Sequence, residues 1–180
     1  MTVTPTPLSG ALVIHPQVYH DTRGYFYELF NKNKFAEHAL PAEFVQDNFS
    51  KSQKNTLRGL HFQNPPYTQG KLVFAVTGKV LDVIVDIRKN SPTYGKNFTV
   101  ELSEENKTML WIPPGFAHGF LTLEDNTIFS YKCTNVYHQP SESGIRWNDP
   151  FLGISWKIKN PILSEKDLNQ PLWKDFVSLF

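Results

Sequence analysis

The chain has 180 residues, a formal net charge of +1 and a single cysteine, Cys133. Near-neutral charge excludes the broad positive field that nucleic acid or an anionic membrane surface calls for, so any bound anion must be held by a few placed cations. One cysteine excludes an intrachain disulfide, and the length suits one domain over residues 1–180.

The chain holds 14 Phe, 7 Tyr and 4 Trp, with 13 Pro and 10 Gly. Aromatic residues favour strands, and frequent Pro and Gly punctuate turns. The opening MTVTPTPLSG lacks the charged n-region and apolar run of a signal peptide. No apolar stretch approaches membrane-spanning length, so a soluble, cytoplasmic protein is expected.

In chain order, GALVIHPQVYHDTRGYFYELF reads as two strands around the turn-like DTRG. NKNKFAEHAL, stopped at Pro41, is the early helix candidate. EFVQDNFSKS reads as a strand followed by polar loop. The clearest pattern is KLVFAVTGKVLDVIVDIR: Leu81, Val83, Val85 and Ile87 share one face, with Asp82, Asp86 and Arg88 on the other. Gly78-Lys79 between its two runs predicts a tight hairpin turn. NFTVEL, TMLWIP, GFLTL and TIFSYKCTNVY continue a series of short strands, and LSEKDLNQPLWKDF closes the chain as a short helix and tail. The pattern points to a β-sandwich or small barrel.

LRGLHFQ, residues 57–63, raises the question of chemistry. His61 reads as a core residue, a metal ligand or a general base. A metal site needs several converging ligands, and a metal-binding β-helix gathers closely spaced histidines. His61 has no second histidine two residues away, and His118 in FAHGF stands alone. A base needs an orienting carboxylate. Asp167 is a candidate, although SEKD also has capping-box-like spacing. Lys71 reads as a solvated strand end or as a cation for an oxyanion. Tyr131 reads as a packing tyrosine or as a proton donor. Arg23 and Arg58, each beside glycine, read as surface charges or as forks for phosphate.

The order of DTRGYFYELF, FVQDNFSKS, LRGLHFQ, QGKLVFAVTGKVLDVIVDIRKNSPTYG, LWIPPGFAHGF, YKCTNVY, GIRWNDP and LSEKD resembles the dTDP-4-dehydrorhamnose 3,5-epimerase family of the cupin superfamily. The resemblance runs from about Val13 to Pro171. It implies an all-β, cupin-type double-stranded β-helix (a jelly-roll barrel) with a few short peripheral helices. It also implies an isomerase acting at C3 and C5 of a dTDP-linked 4-keto-6-deoxyhexose. Through it, His61 matches the base, Asp167 its carboxylate and Tyr131 the acid on the opposite sugar face. Lys71 and His118 match groups near the keto oxygen. Arg23, Glu28, Gln46, Asn48, Arg58, Glu142 and Lys166 match substrate-contacting positions. Arg23 and Glu28 would act from a neighbouring subunit, which implies a homodimer. The resemblance implies no cofactor and no metal. Phe26 is a candidate to stack on the nucleobase, and Phe74 stands where the family commonly has arginine. The alternatives are an epimerase acting at one carbon, a non-catalytic sugar-binding cupin and a metal-dependent cupin oxygenase.

Overall fold

A computed structural model describes residues 1–180. The strands are β1 (Thr2–Pro5), β2 (Leu12–His15), β3 (Val18–Asp21), β4 (Gly24–Tyr27), β5 (Gln46–Ser52), β6 (Leu57–Gln63) and β7 (Lys71–Thr77). They continue as β8 (Lys79–Asp86), β9 (Asn97–Ser103), β10 (Met109–Ile112), β11 (Phe116–Thr122), β12 (Thr127–Cys133) and β13 (Glu142–Gly144). Two short helices, α1 (Lys32–Glu37) and α2 (Glu165–Leu168), are peripheral.

One six-stranded sheet has the order β1-β2-β10-β7-β12-β5, and a five-stranded sheet has the order β13-β6-β11-β8-β9. β3 and β4 pair only with each other. The inner faces of the two large sheets enclose a core of Val73, Ala75, Val80, Ile84, Leu110, Phe120 and Phe129. The outer face of the five-stranded sheet, through Leu81, Val83, Val85 and Ile87, is covered by Ile145, Trp147, Leu152 and Trp156. The outer face of the other sheet, through Leu72, Phe74 and Met109, packs against Phe35 of α1. Burying apolar faces on both sides of each sheet removes them from water and fixes the strand registers.

Two expectations change. Gly78 makes no hairpin, because β7 and β8 belong to different sheets. Its φ of +73° suits glycine, and an added Cβ would lie 2.5 Å from Thr127 Oγ1. It is a corner where the chain crosses between sheets. DNFSKS is not loop: it lies in β5, paired along its length with β12. The alternation in β8 forms as read, with both of its faces covered. Asp82 and Asp86 are fully buried, and Asp82 shares the barrel interior with Val80 and Ile84.

The early helix forms as read. Asn31 caps α1, accepting from the backbone of Asn33 and Lys34, and Ala39 at φ +56° turns the chain before Pro41. No helix is long and apolar enough to cross a membrane.

Candidate active site

β6 carries the first part of the site. In an unbroken strand Arg58 and His61, an odd number of residues apart, would face opposite sides. The β6–β11 register instead shifts: His118 is opposite His61, but Phe120 is opposite Arg58. The extra residue in β6 is a bulge at Gly59-Leu60, and it turns both side chains into the barrel. Glycine is required there. Gly59 has φ +135°, and a Cβ would come within 2.5 Å of Gly119 Cα on β11.

Arg58, His61, Lys71, His118, Tyr131, Lys166 and Asp167 surround a cavity of about 400 Å³, with Phe49 at its edge. An adjoining space of about 220 Å³ shares His61, Lys71 and Tyr131 and adds Gln46, Asn48, Gln69, Tyr137 and Glu142. Together they form one cleft.

His61 Nε2 lies 2.5 Å from Asp167 Oδ1, and the Asp167 side chain is 4% exposed. Burial opposes ionisation of Asp167. The His61 hydrogen bond and charge, the Ser164 hydroxyl and the Gly59 amide outweigh it, holding the carboxyl below its ordinary range. Asp167 also sits in the first turn of α2, where Ser164 caps the helix by accepting from its backbone N–H at 3.1 Å. The cap and the imidazole contact coincide in SEKD: the helix start places the carboxylate that touches His61.

Lys71 and Tyr131 come from the facing sheet. The Lys71 ammonium is 5.8 Å from the Tyr131 ring centroid. Burial pushes the Lys71 ammonium below the ordinary lysine value, against the opposing influence of Cys133, Asp82 and Glu142. It lines the cleft, half-buried, rather than standing free in solvent. Burial also raises the Tyr131 hydroxyl, with Cys133 and Glu142 raising it further and Arg58 opposing. A raised phenol keeps its proton at neutral pH.

Arg58 donates from Nε and Nη2 to Ser52 Oγ, at 3.2 and 3.1 Å. Glu142 is ion-paired with Lys166 and accepts from the Tyr137 hydroxyl at 2.9 Å. Gln46 Nε2 donates to Asn48 Oδ1 at 3.1 Å.

Arg23 and Glu28 are not brought into this cleft within the chain. Arg23 pairs with Asp21, and Glu28 is bonded to Asn31 and Lys34. Phe26, on the separate β3–β4 ribbon, is 66% exposed and lies beside Arg23 away from the cavity. Phe74 points outward into the α1 cluster, away from His61.

Two residues escaped the sequence reading. Tyr137, half exposed, borders the outer part of the cleft. Asp82 lies 2.8 Å from His118 Nε2. The strand pattern marked Asp82 only as polar; its partner across the β8–β11 pair is visible only once the register is known.

An antiparallel jelly roll of the cupin kind, with an imidazole–carboxylate pair facing a half-buried tyrosine and lysine, defines a class: a barrel enclosing a site equipped for proton transfer. Comparison with known proteins makes the class specific. The family model described as dTDP-4-dehydrorhamnose 3,5-epimerase matches residues 5–175. A Shigella flexneri protein of that name is 53% identical over 170 residues, spanning 94% of each chain. The crystal structure of the enzyme of that name from Elizabethkingia anophelis superposes with a TM-score of 0.93 at 50% identity, covering 97% of each chain. A dTDP-6-deoxy-D-glucose-3,5-epimerase from Legionella pneumophila, solved with dTDP-4-keto-L-rhamnose, gives 0.91 at 47% identity, covering 95% of this chain and 92% of the other. The chain belongs to the dTDP-4-dehydrorhamnose 3,5-epimerase family, whose members are isomerases.

Proposed function

We propose that the chain inverts C3 and C5 of dTDP-4-dehydro-6-deoxy-D-glucose, giving dTDP-4-dehydro-L-rhamnose, with His61 as base and Tyr131 as acid. The observation that carries this reading is their placement on opposite sheets of one cavity, His61 bonded to Asp167. The C4 ketone acidifies the hydrogens on C3 and C5. His61 takes one of them, and Asp167 stabilises the imidazolium that forms. The resulting enolate carries its charge on the C4 oxygen, where the Lys71 ammonium and His118 stabilise it. Tyr131, still protonated, delivers a proton from the other wall, and the stereocentre inverts. Water then resets both groups.

Arg58 and Lys166 supply cationic donors for the pyrophosphate, with Gln46, Asn48 and Glu142 lining the route outward. The Tyr137 ring, exposed at that outer part, suits stacking on a flat base better than Phe26 of the same chain. Arg23 and Glu28 reach a site only from a second copy, so the active form is a homodimer sharing residues. The β3–β4 ribbon supports this: Tyr19, Tyr25 and Phe26 are 60%, 49% and 66% exposed on a strand pair joined to no other sheet. Residues 1–180 act as one domain, a reading supported by packing of Phe176 and Phe180 on the five-stranded sheet's outer cluster. A cytoplasmic setting suits a nucleotide-sugar substrate and a free buried thiol at Cys133.

The test is proton NMR of dTDP-4-keto-6-deoxyglucose with the protein in heavy water. Deuterium at both C3 and C5, with inverted product, is expected. No exchange at either carbon would defeat the proposal. Light scattering that finds a fully active monomer would defeat the shared-site dimer.

A further inference from the structure

We infer that Asp82 is a positioning residue that holds the imidazole of His118 with Nδ1 toward the C4 oxygen and supplies the counter-charge for a second proton, which the ring takes up from solvent as the 4-keto sugar binds. This rests on the epimerase reading above. Asp82 Oδ2 accepts from His118 Nε2 at 2.8 Å, and the Asp82 side chain is 0% exposed. The bonded nitrogen is thereby taken. His118 Nδ1 is the ring nitrogen left for the cavity that His118 lines.

Asp82 is a poor choice as pure structure. It points inward beside Val80 and Ile84, where an apolar side chain would pack without desolvating a charge. Its Oδ1 is buried with no hydrogen-bond partner. An unshared buried oxygen costs stability, and it leaves the negative charge concentrated beside His118.

The other charged or titratable groups around the cavity are Arg58 and His61 on β6, Lys71 on β7, Tyr131 on β12, and Lys166 and Asp167 on α2. Of the carboxylates that line the cleft, Asp167 is bonded to His61 and Glu142 is ion-paired with Lys166. Asp82 is therefore the carboxylate available to His118. With both nitrogens protonated, His118 donates Nε2–H to Asp82 and Nδ1–H to the oxyanion. The pair then carries no net charge, and His118 gives up no proton. The carbon-bound proton still goes to His61. Because the C4 oxygen is common to both enolates, Asp82 serves C3 and C5 equally.

Asp82→Asn tests this by keeping the shape and removing the charge. The variant should melt as a folded protein and keep KM within about threefold, while kcat falls roughly 10–100-fold. Exchange at C3 and C5 should fall together. In a His118→Ala background the same substitution should have no further effect on kcat. A loss confined to stability or KM, or an equal further loss in the His118→Ala background, would overturn the inference. If Asp82→Asn does not fold, 15N NMR of wild-type His118 decides. Nε2 should carry the proton in the free protein, with Nδ1 becoming protonated on adding dTDP-4-keto-L-rhamnose. A proton on Nδ1 with a bare Nε2 would contradict it. An inactive wild type defeats the epimerase reading along with this one. An active wild type with an unaffected Asp82→Asn variant defeats this one alone.

Discussion

Where the five-stranded sheet borders the cleft, each imidazole is tied to a carboxylate: His61 to Asp167 at 2.5 Å and His118 to Asp82 at 2.8 Å. Where the six-stranded sheet borders it, Lys71 and Tyr131 meet no carboxylate; the ion pair on that wall, Lys132 with Asp47, faces away from the cavity. The difference is chemical as well as spatial. A carboxylate partner stabilises an imidazole that gains a proton. A half-buried phenol and ammonium without such a partner would keep a donor and a cation ready for a substrate oxygen or carbon. In the proposed reaction, a sugar held between the walls would meet a proton acceptor on one face and a donor on the other. That asymmetry is what inversion needs, and a core barrel with identical walls would provide only exchange.

The comparison breaks most severely at His61. His61→Ala should lower kcat about 10³–10⁴-fold and abolish exchange at both carbons, with the far-UV spectrum unchanged. Asp167→Asn comes next, at roughly 10²–10³-fold in kcat, because the imidazolium loses its charge partner. It should also melt at a lower temperature, since Asp167 accepts from Ser164 at 2.9 Å. Unchanged kcat with lowered melting would leave Asp167 a helix-terminus residue only. Lys71→Met removes the opposite wall's cation and should cost about 10–10²-fold in kcat. It should also raise stability. Burial depresses the Lys71 ammonium in the fold, so charging it at neutral pH opposes folding. Calorimetry alongside kinetics reads both signs.

The smallest effect lies outside the cleft. Burial raises the Asp86 carboxyl, but hydrogen bonds from Arg88, Ser91 and Thr93 overcome it and lower it from 3.8 to about 2. A depressed carboxyl contributes stability that is fully present above the unfolded value of 3.8 and is lost as pH falls through about 2. Asp86→Asn should therefore cost about 2.5 kcal/mol at pH 7, from roughly 1.4 kcal/mol per pKa unit. The gap from wild type should close near pH 2 in denaturant titrations, and kcat should be unchanged.

Local patterning made the strands legible, because period-2 burial in β7 and β8 is written in residue types. It did not reveal which sheet each strand joins. Gly78 has the composition of a hairpin turn, but its φ serves equally at a corner between sheets, and only the pairing of β7 with β10 and β12 decides. β5 was obscured because a strand at a sheet edge lining a polar cleft needs no apolar alternation; Gln46, Asn48 and Ser50 face the cleft. In the site, the ordered motifs named His61, Lys71, Tyr131 and Asp167 through family resemblance. The bulge that aims Arg58 and His61 together is visible in the sequence only as Gly59. Asp82 was hidden because a polar residue in an alternating strand reads as solvent-facing when its opposite wall is unknown.

The central claim, a base on one wall and an acid on the other, is tested most directly by Tyr131→Phe. The measurement is proton NMR in heavy water, following exchange and inversion at C5 in the same sample. With the donor removed and His61 intact, abstraction continues and deuterium returns from the His61 side. The predicted result is labelled substrate of retained configuration outnumbering inverted product, with inversion reduced at least about tenfold more than exchange. Exchange and inversion falling by the same factor, or neither falling, would contradict the account.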